Sequence, residues 1–486
     1  MKQNTEKLPS PWVSVIPLAV LTGLLYVVIR AFGGDAINGG SQIALLSATS
    51  VCVMLSIGVY RCRWAVLEEA IIDNIRASAS AIVILLLIGA IAGTWMISGV
   101  VPTMIYYGLQ ILHPSFFLVA SCVICAVVSL MTGSSWTTIA TIGVALMGTG
   151  QAMGFPEGWI AGAIISGAYF GDKLSLLSDT TVLASSTVGV PIFTHIRYML
   201  YTTVPSFVIA LAVFVIAGLT LDHTGGTHAG MYAESLRGTF RITPWLLAVP
   251  VATGVLIVRK LPAIVTLFCA AVFACIAMLL AQPELVAKVA GVGGLDFMSG
   301  FKGVLMTCFG PTAIPTGSAP LDELVATRGM AGMLNTVWLI ICAMCFGGVM
   351  TGSGMLRSLT AIFLRWVRRT FSAVASTVGA GIFFNLCTAD QYISIILSGR
   401  LFRELYAERG LEPRLLSRSV EDSATVCSVL VPWNSCGMTQ ATVLGVSTFV
   451  YMPYCIFNIV SPLMSLMVAA IGWKIKRAAG TAAHPH

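Results

Sequence analysis

Residues 158–196 read GWIAGAIISGAYFGDKLSLLSDTTVLASSTVGVPIFTHI, between Glu157 and Arg197. Asp172, Lys173 and Asp179 are the only acidic or strongly basic residues in this mostly apolar stretch. They are embedded in Gly, Ser and Thr rather than in Leu and Val. Ionisable groups at membrane depth are costly and usually line an ion or substrate pathway. The segment Gly171-Asp-Lys-Leu-Ser-Leu-Leu-Ser-Asp-Thr-Thr181 therefore carries more functional information than any other part of the chain.

The surrounding sequence fixes the medium. Of 486 residues, 57% are hydrophobic and 10% charged, against roughly 25% charged in a soluble domain. No Asp, Glu, Lys or Arg lies between Arg76 and Glu157, nor between Asp422 and Lys474. Such runs exceed the roughly 20 residues that span a bilayer. The chain reads as an all-α polytopic membrane protein of roughly 11–13 transmembrane segments, some broken or re-entrant. A water-soluble enzyme is excluded.

The net charge of +7 does not indicate nucleic acid, because the basic residues cluster at segment ends. The clusters are Arg61, Arg63 and Arg76; Arg357, Arg365, Arg368 and Arg369; Arg400, Arg403, Arg409, Arg414 and Arg418; and Lys474, Lys476 and Arg477. By the positive-inside rule all four are cytoplasmic, as are both termini, and the loops near Asp35, His113 and Asp222 are external. Arg237 and Arg241 are exceptions. The N-terminal MKQNTEKLPSPW has no cleavable signal pattern. Cys122/Cys125 and Cys342/Cys345 have CxxC spacing, but without a His cluster they read as packing residues on helix faces.

Spans are expected at 12–30, 42–60, 79–99, 116–132, 201–220, 244–258, 261–281, 333–352 and 443–471. An amphipathic piece at 64–76, with Glu68, Glu69 and Asp73, is placed at the inner surface. Interruptions are expected in 133–190, 299–320 (with Pro311, Pro315 and Pro320), 373–399 and 421–440. The corresponding divisions are 1–78 (scaffold), 79–200 (first repeat), 201–298 (connecting scaffold), 299–471 (second repeat) and a cytoplasmic tail at 472–486.

The repeat rests on a shift of 255 residues (348 − 93), which places Gly93 on Gly348 and Ser98-Gly99 on Ser353-Gly354. It also places Gly133 on Thr388 and Asp179 on Asn434. The stretch after Gly99 lacks basic residues, whereas the stretch after Gly354 is strongly basic. Equivalent segments then cross in opposite directions, giving two inverted-topology repeats. In such folds the site lies near the midplane, where interrupted helices meet.

Broken helices leave carbonyls and amides unpaired, and lipid cannot satisfy them. With hydroxyls, Asn and carboxylates they form a hard-oxygen environment suited to Na⁺. Burial also raises a carboxylate's proton affinity, so one site can take Na⁺ or H⁺. Asp179, flanked by Ser178 and Thr180, is the first candidate ion carboxylate. The alternative is a helix cap. Asp172 beside Lys173 is a carrier or one half of a local ion pair. Asp390 is the only charge between Arg369 and Arg400, and an unwound turn would bring Asn385 and Thr388 to it. Asn434, in Pro432-Trp-Asn-Ser435, is a neutral ligand. Asp422 is a further ion or proton candidate, or a partner of Arg418 or Arg414. Na⁺ is assigned to Asp179, Ser178, Asn385 and Asp390. Ser134, Ser135, Trp136, Thr137, Lys173 and Trp433 are assigned to the pathway. His195 and Arg197 read as structural residues at a membrane boundary.

Several motifs together resemble the NhaC family of Na⁺/H⁺ antiporters: GSSWTTIATIGVAL (133–146), AGAIISGAYFGDKLSLLSDTT (161–181), FTHIRYMLYTT (193–203), TADQYISI (388–395) and LSRSVEDSAT…LVPWNSCG (416–437). The likeness runs over about residues 80–465. It implies an inner-membrane secondary carrier of two inverted halves, with an elevator-like cycle and a homodimer by superfamily analogy. Na⁺ and H⁺ are then the transported ions, with no other cofactor. The usual core motif resembles GDKMSPLSDTTN. Here Leu174 stands for Met, Leu176 for Pro and Val182 for Asn, and Thr137 stands where Gly is usual. The family also resembles exchangers of hydroxy acids or amino acids, so a small organic acid or amino acid is the alternative substrate. A channel is a separate class. An intramembrane hydrolase lacks its HExxH or GxGD motif, and an ATP-driven pump lacks a Walker A sequence.

Overall fold

The computed structural model describes residues 9–475 apart from 33–37, 222–226, 260, 295, 317–321, 323–324, 366 and 368. Asp35, Asp222, Pro320, Arg368, Lys476, Arg477 and most of the expected tail lie outside the described residues. Among the described residues the chain is helical, with one isolated bridge between Thr312 and Thr327. Among the described residues, eight helices are long and apolar enough to cross a membrane. Three bent pairs raise this to as many as eleven spans: Glu157–Leu174 with Asp179–Val188 (47°), Gly230–Thr239 with Pro244–Val258 (94°), and Thr448–Tyr454 with Ile456–Ile471 (54°).

The expected surface piece at 64–76 is not separate. It continues into the next span as one helix, Trp64–Ile97, because the sequence holds no Gly or Pro before Gly89. The helix Ile192–Thr220 likewise begins earlier than expected, so His195 is fully buried while Arg197 is exposed. Met355–Arg365 is an additional amphipathic helix.

Four apolar clusters organise the molecule. Two draw on helices Pro11–Phe32, Gly40–Gly58, Trp64–Ile97, Ala263–Ala281 and Leu334–Gly352. The other two draw on Phe117–Thr132, Glu157–Leu174, Thr370–Thr388, Gln391–Glu408 and the C-terminal helices. Phe117–Thr132 and Glu157–Leu174 pack along each other closely. At this crossing a Cβ on Gly167 would stand 2.0 Å from the Cys122 carbonyl oxygen, and one on Gly171 2.2 Å from that of Ala126. Only glycine lets the two backbones meet there.

The same local hydrogen bonds occur twice along the chain. Ser98 Oγ donates to the Trp95 carbonyl at 3.2 Å, and Ser353 Oγ to that of Met350 at 3.3 Å. Further along, the register becomes 256 residues (385 − 129). Ser129 Oγ donates to the Ala168 carbonyl at 2.6 Å, and Asn385 Nδ2 to that of Ala424 at 2.8 Å. Thr132 Oγ1 donates to the Ser134 carbonyl and Thr388 Oγ1 to that of Asp390, each at 3.2 Å. Left-handed residues recur in this register: Gly133 (φ 68°) with Ala389 (55°), Gly154 (84°) with Gly410 (62°), and Gly189 (82°) with Gly445 (71°). The expected pairing of Gly133 with Thr388 and Asp179 with Asn434 is therefore one residue out. The second copy has one extra residue between its counterparts of Gly99 and Ser129, so the structure pairs Gly133 with Ala389 and Ser178 with Asn434.

Candidate functional site

Each copy contributes two helix interruptions. In the first copy, Phe117–Thr132 ends at left-handed Gly133. Ser134 then caps the next helix by accepting the Thr137 N–H at 3.2 Å. That helix continues through a π turn, Ile139–Gly143. The second break, residues 175–178, follows Glu157–Leu174. Ser178 caps Asp179–Val188 by accepting the Thr181 N–H at 3.3 Å. In the second copy, Asp390 caps Gln391–Glu408 by accepting the Ile393 N–H at 2.9 Å. Asn434 caps Ser435–Leu444 by accepting the Cys436 N–H at 3.0 Å.

Side chains tie the breaks together in pairs. Asp172 is buried, and its Oδ2 accepts the Ser135 N–H at 3.1 Å and the Ser135 hydroxyl at 2.7 Å. Ser178 also lies against this carboxylate. In the second copy, Asn434 Nδ2 donates to Asn385 Oδ1 at 3.2 Å, and the Ser435 N–H donates to the Ala389 carbonyl at 2.8 Å. Trp433 Nε1 donates to the Leu386 carbonyl at 2.8 Å. Asp390, 3% exposed, receives the Ser435 hydroxyl at 3.4 Å. Thr388 Oγ1 and the Ser394 hydroxyl lie 3.1 Å apart beneath it. The two halves meet around Tyr392, which lies within Coulombic reach of Asp172, Asp179 and Asp390.

The structure changes several expectations. Asp179 is exposed rather than enclosed, because the cap falls to Ser178 and Asp179 becomes the first residue of its helix. A carboxylate there faces the positive end of the helix dipole. Thr180 is buried, with its hydroxyl 2.9 Å from that of Ser178. Thr137 donates to Ser134 Oγ at 3.1 Å, and Trp136 is half-buried beside Cys436. Of the four residues assigned to Na⁺, Ser178 and Asp179 stand on one copy and Asn385 and Asp390 on the other. Ser178 and Asn385 hydrogen-bond within their own copies, whereas the Asp390 carboxylate also meets the Ser78 hydroxyl of helix Trp64–Ile97.

Asp172 and Lys173 do not pair with each other. Lys173 Nζ instead forms a fully buried ion pair with Asp422 and donates to Ser461 Oγ at 3.1 Å. Asp422 Oδ1 also accepts the Thr202 and Ser461 hydroxyls, each at 3.2 Å. Arg418 Nε stands 3.9 Å from Asp422 Oδ2, while Arg414 pairs with Glu412 at 2.6 Å. His195 Nδ1 lies 2.8 Å from Ser417 Oγ. The sequence reading offered Asp422 a pairing with Arg418, which the structure shows, but missed the rest of this second cluster, in which Lys173, Glu421, His195, Thr202 and Ser461 gather around that pair. Two signals were available: the i,i+3,i+4 spacing of Arg418, Glu421 and Asp422, and the polar Asn458 and Ser461 inside an otherwise apolar last helix.

A multi-pass helical protein with buried charges gathered at interrupted helices is built as a membrane transporter. The comparisons then place it. The Na⁺/H⁺ antiporter family profile matches residues 167–473. The Na⁺/H⁺ antiporter NhaC of Alkalihalophilus pseudofirmus is 35% identical over 87% of this chain and 89% of its own length. The malate-2H⁺/Na⁺-lactate antiporter of Bacillus subtilis is 34% identical over 89% of each chain. The arginine/ornithine antiporter ArcD of Halobacterium salinarum is 33% identical over 97% of this chain and 94% of its own. The chain belongs to the NhaC-type Na⁺/H⁺ antiporter family, a family of transporters rather than catalytic enzymes.

Proposed function

We propose that this chain exchanges Na⁺ for H⁺ across the inner membrane by alternating access, with Na⁺ held where the interrupted helices of the two copies meet. Asp172, Asp179 and Asp390 supply the negative charge. Hydroxyls and carbonyls of residues 132–135, 175–180, 388–390 and 431–435 supply neutral oxygens. Lys173, Trp136 and Trp433 shape the route. The two copies cross the bilayer in opposite senses, both termini lie in the cytoplasm, and the carrier works as a homodimer.

One observation carries the choice of cation over organic anion. An organic carboxylate would be held by free N–H groups at helix N-termini. All four N-termini at this crossing are already capped by the chain's own oxygens, from Ser134, Ser178, Asp390 and Asn434. The Ser135 N–H is taken by Asp172 as well. What remains is a site rich in acceptors, and acceptors suit a cation. The resemblance to malate/lactate and arginine/ornithine exchangers keeps an organic substrate as the second reading.

The test uses proteoliposomes with an internal pH dye and an imposed pH gradient. Na⁺, Li⁺ or K⁺ is added without organic solute, then with malate, lactate or arginine. Cation-dependent dissipation without any organic solute is expected. Dissipation only when the organic solute is present would replace this reading with the second.

A further inference from the structure

Glu421 is a buried carboxylate that the cation site does not use. It opens a π turn, Glu421–Thr425, that continues the helix Pro413–Val420. The residue is 0% exposed, and among the described residues its carboxyl oxygens meet no charged or backbone hydrogen-bond donor, only the Thr425 hydroxyl at the edge of hydrogen-bonding range. Other buried polar atoms in this region also lack a hydrogen-bond partner among the described residues: Arg418 Nη1 and Nη2, His195 Nε2 and Asn458 Oδ1. Unpartnered groups gathered in one buried region indicate ordered water or an ion. An ionised carboxylate left alone in such a place costs several kcal/mol, so it is neutralised by a proton or a cation.

The neighbours of Glu421 decide between the two. Lys173, Asp172 and Asp422 lie within its Coulombic reach, and Thr425 is beside it. The nearby cations are otherwise engaged: Lys173 pairs with Asp422, and Arg418 lies over the Tyr198 ring at 4.6 Å and beside Asp422. His195 faces Ser417 and feels the Lys173 charge. With Lys173 close by, a metal cation at Glu421 would be repelled, whereas a proton on the carboxyl removes the charge altogether.

We propose that Glu421 is the proton seat of this carrier, in a buried compartment separate from the Na⁺ seat and coupled to it through Asp172. The inference rests on the Na⁺/H⁺ reading. With the cation seat empty, Asp172 is negative and Glu421 holds its proton. When Na⁺ arrives beside Asp172, it cancels that charge, and Glu421, left facing the Lys173 ammonium without the opposing Asp172 charge, gives up its proton to water. The pair carries one negative charge before and after, so one Na⁺ exchanges for one H⁺. Alternate occupancy then arises from electrostatics between two seats rather than from competition for one set of oxygens.

The test is Glu421→Gln in proteoliposomes, with two readouts. One is Na⁺-driven dissipation of a pH gradient; the other is ²²Na⁺/Na⁺ exchange at equal pH on both sides. The expected result is loss of the first with retention of the second. Wild-type dissipation in the variant overturns the inference, and so does loss of both activities in an inserted, monodisperse protein. Where Glu421→Gln does not insert, Glu421→Asp serves. A shifted pH profile of exchange supports the proton seat, and an unshifted one overturns it. If the wild-type protein itself moves no protons with Na⁺, the Na⁺/H⁺ reading fails and this inference with it. If only the variant behaves as wild type, the inference alone fails.

Discussion

The buried pair Lys173–Asp422 joins the end of Glu157–Leu174 to the π turn of the second copy, and both side chains are 0% exposed. Lys173→Met removes the ammonium and leaves Asp422 with two neutral hydroxyl donors, Thr202 and Ser461, and Arg418 at 3.9 Å. Breaking a buried pair by removing one partner costs about 3–5 kcal/mol. Those residual contacts place Lys173→Met near the lower end of that range. Asp422→Asn costs more, because it strips the carboxylate from two buried cations at once, Lys173 and Arg418. In Lys173→Met/Asp422→Asn no charge is orphaned by the lost pair except Arg418. The two single effects are then non-additive by about 2–4 kcal/mol. The assay is equilibrium unfolding in mixed micelles, followed by tryptophan fluorescence, for all four proteins of the cycle. A coupling energy below about 0.5 kcal/mol, the level at which independent sites add, would refute the pairing. So would Lys173→Met costing more than Asp422→Asn.

Three further outcomes follow from other contacts. Gly167→Leu drives a side chain into the Cys122 carbonyl and destabilises the protein by about 1–3 kcal/mol or more; an unchanged thermal midpoint would count against the close helix crossing. Asp179→Asn alters an exposed side chain, so stability stays within about 0.5 kcal/mol while cation-dependent exchange slows. Exchange at the wild-type rate would remove Asp179 from the pathway. Asn434→Ala loses a helix cap and costs about 1–2 kcal/mol. Asn434→Ser restores most of it, because Ser178 caps the equivalent helix in the first copy. Equal unfolding midpoints for the two variants would argue against that equivalence.

Much of this architecture was legible in the sequence because its signals are local. Long uncharged runs marked the spans, and Gly, Ser, Thr and Pro clusters at 133–190, 373–399 and 421–440 marked the interruptions. Asp172 and Asp390 are charges in apolar surroundings, and the structure buries both. What stayed hidden depends on tertiary contacts. Asp172 and Lys173 are adjacent in sequence, yet successive helical side chains diverge by about 100°, so they reach different partners. Asp179 is enclosed or open according to which residue takes the cap, and the preceding break leaves that choice to Ser178. Glu421 and Asp422 are adjacent carboxylates that the sequence does not tell apart; they differ because Lys173 and Arg418 turn toward Asp422. The one-residue change in repeat register is likewise silent in the sequence and appears only in the hydrogen bonds.

The central claim is that Na⁺ sits where the interrupted helices of the two copies meet. It is tested most directly by equilibrium ²²Na⁺ binding to the purified protein, wild type beside Asp172→Asn and Asp390→Asn. The account predicts that each substitution weakens binding markedly while the proteins remain folded and monodisperse. Wild-type affinity in both variants would contradict it.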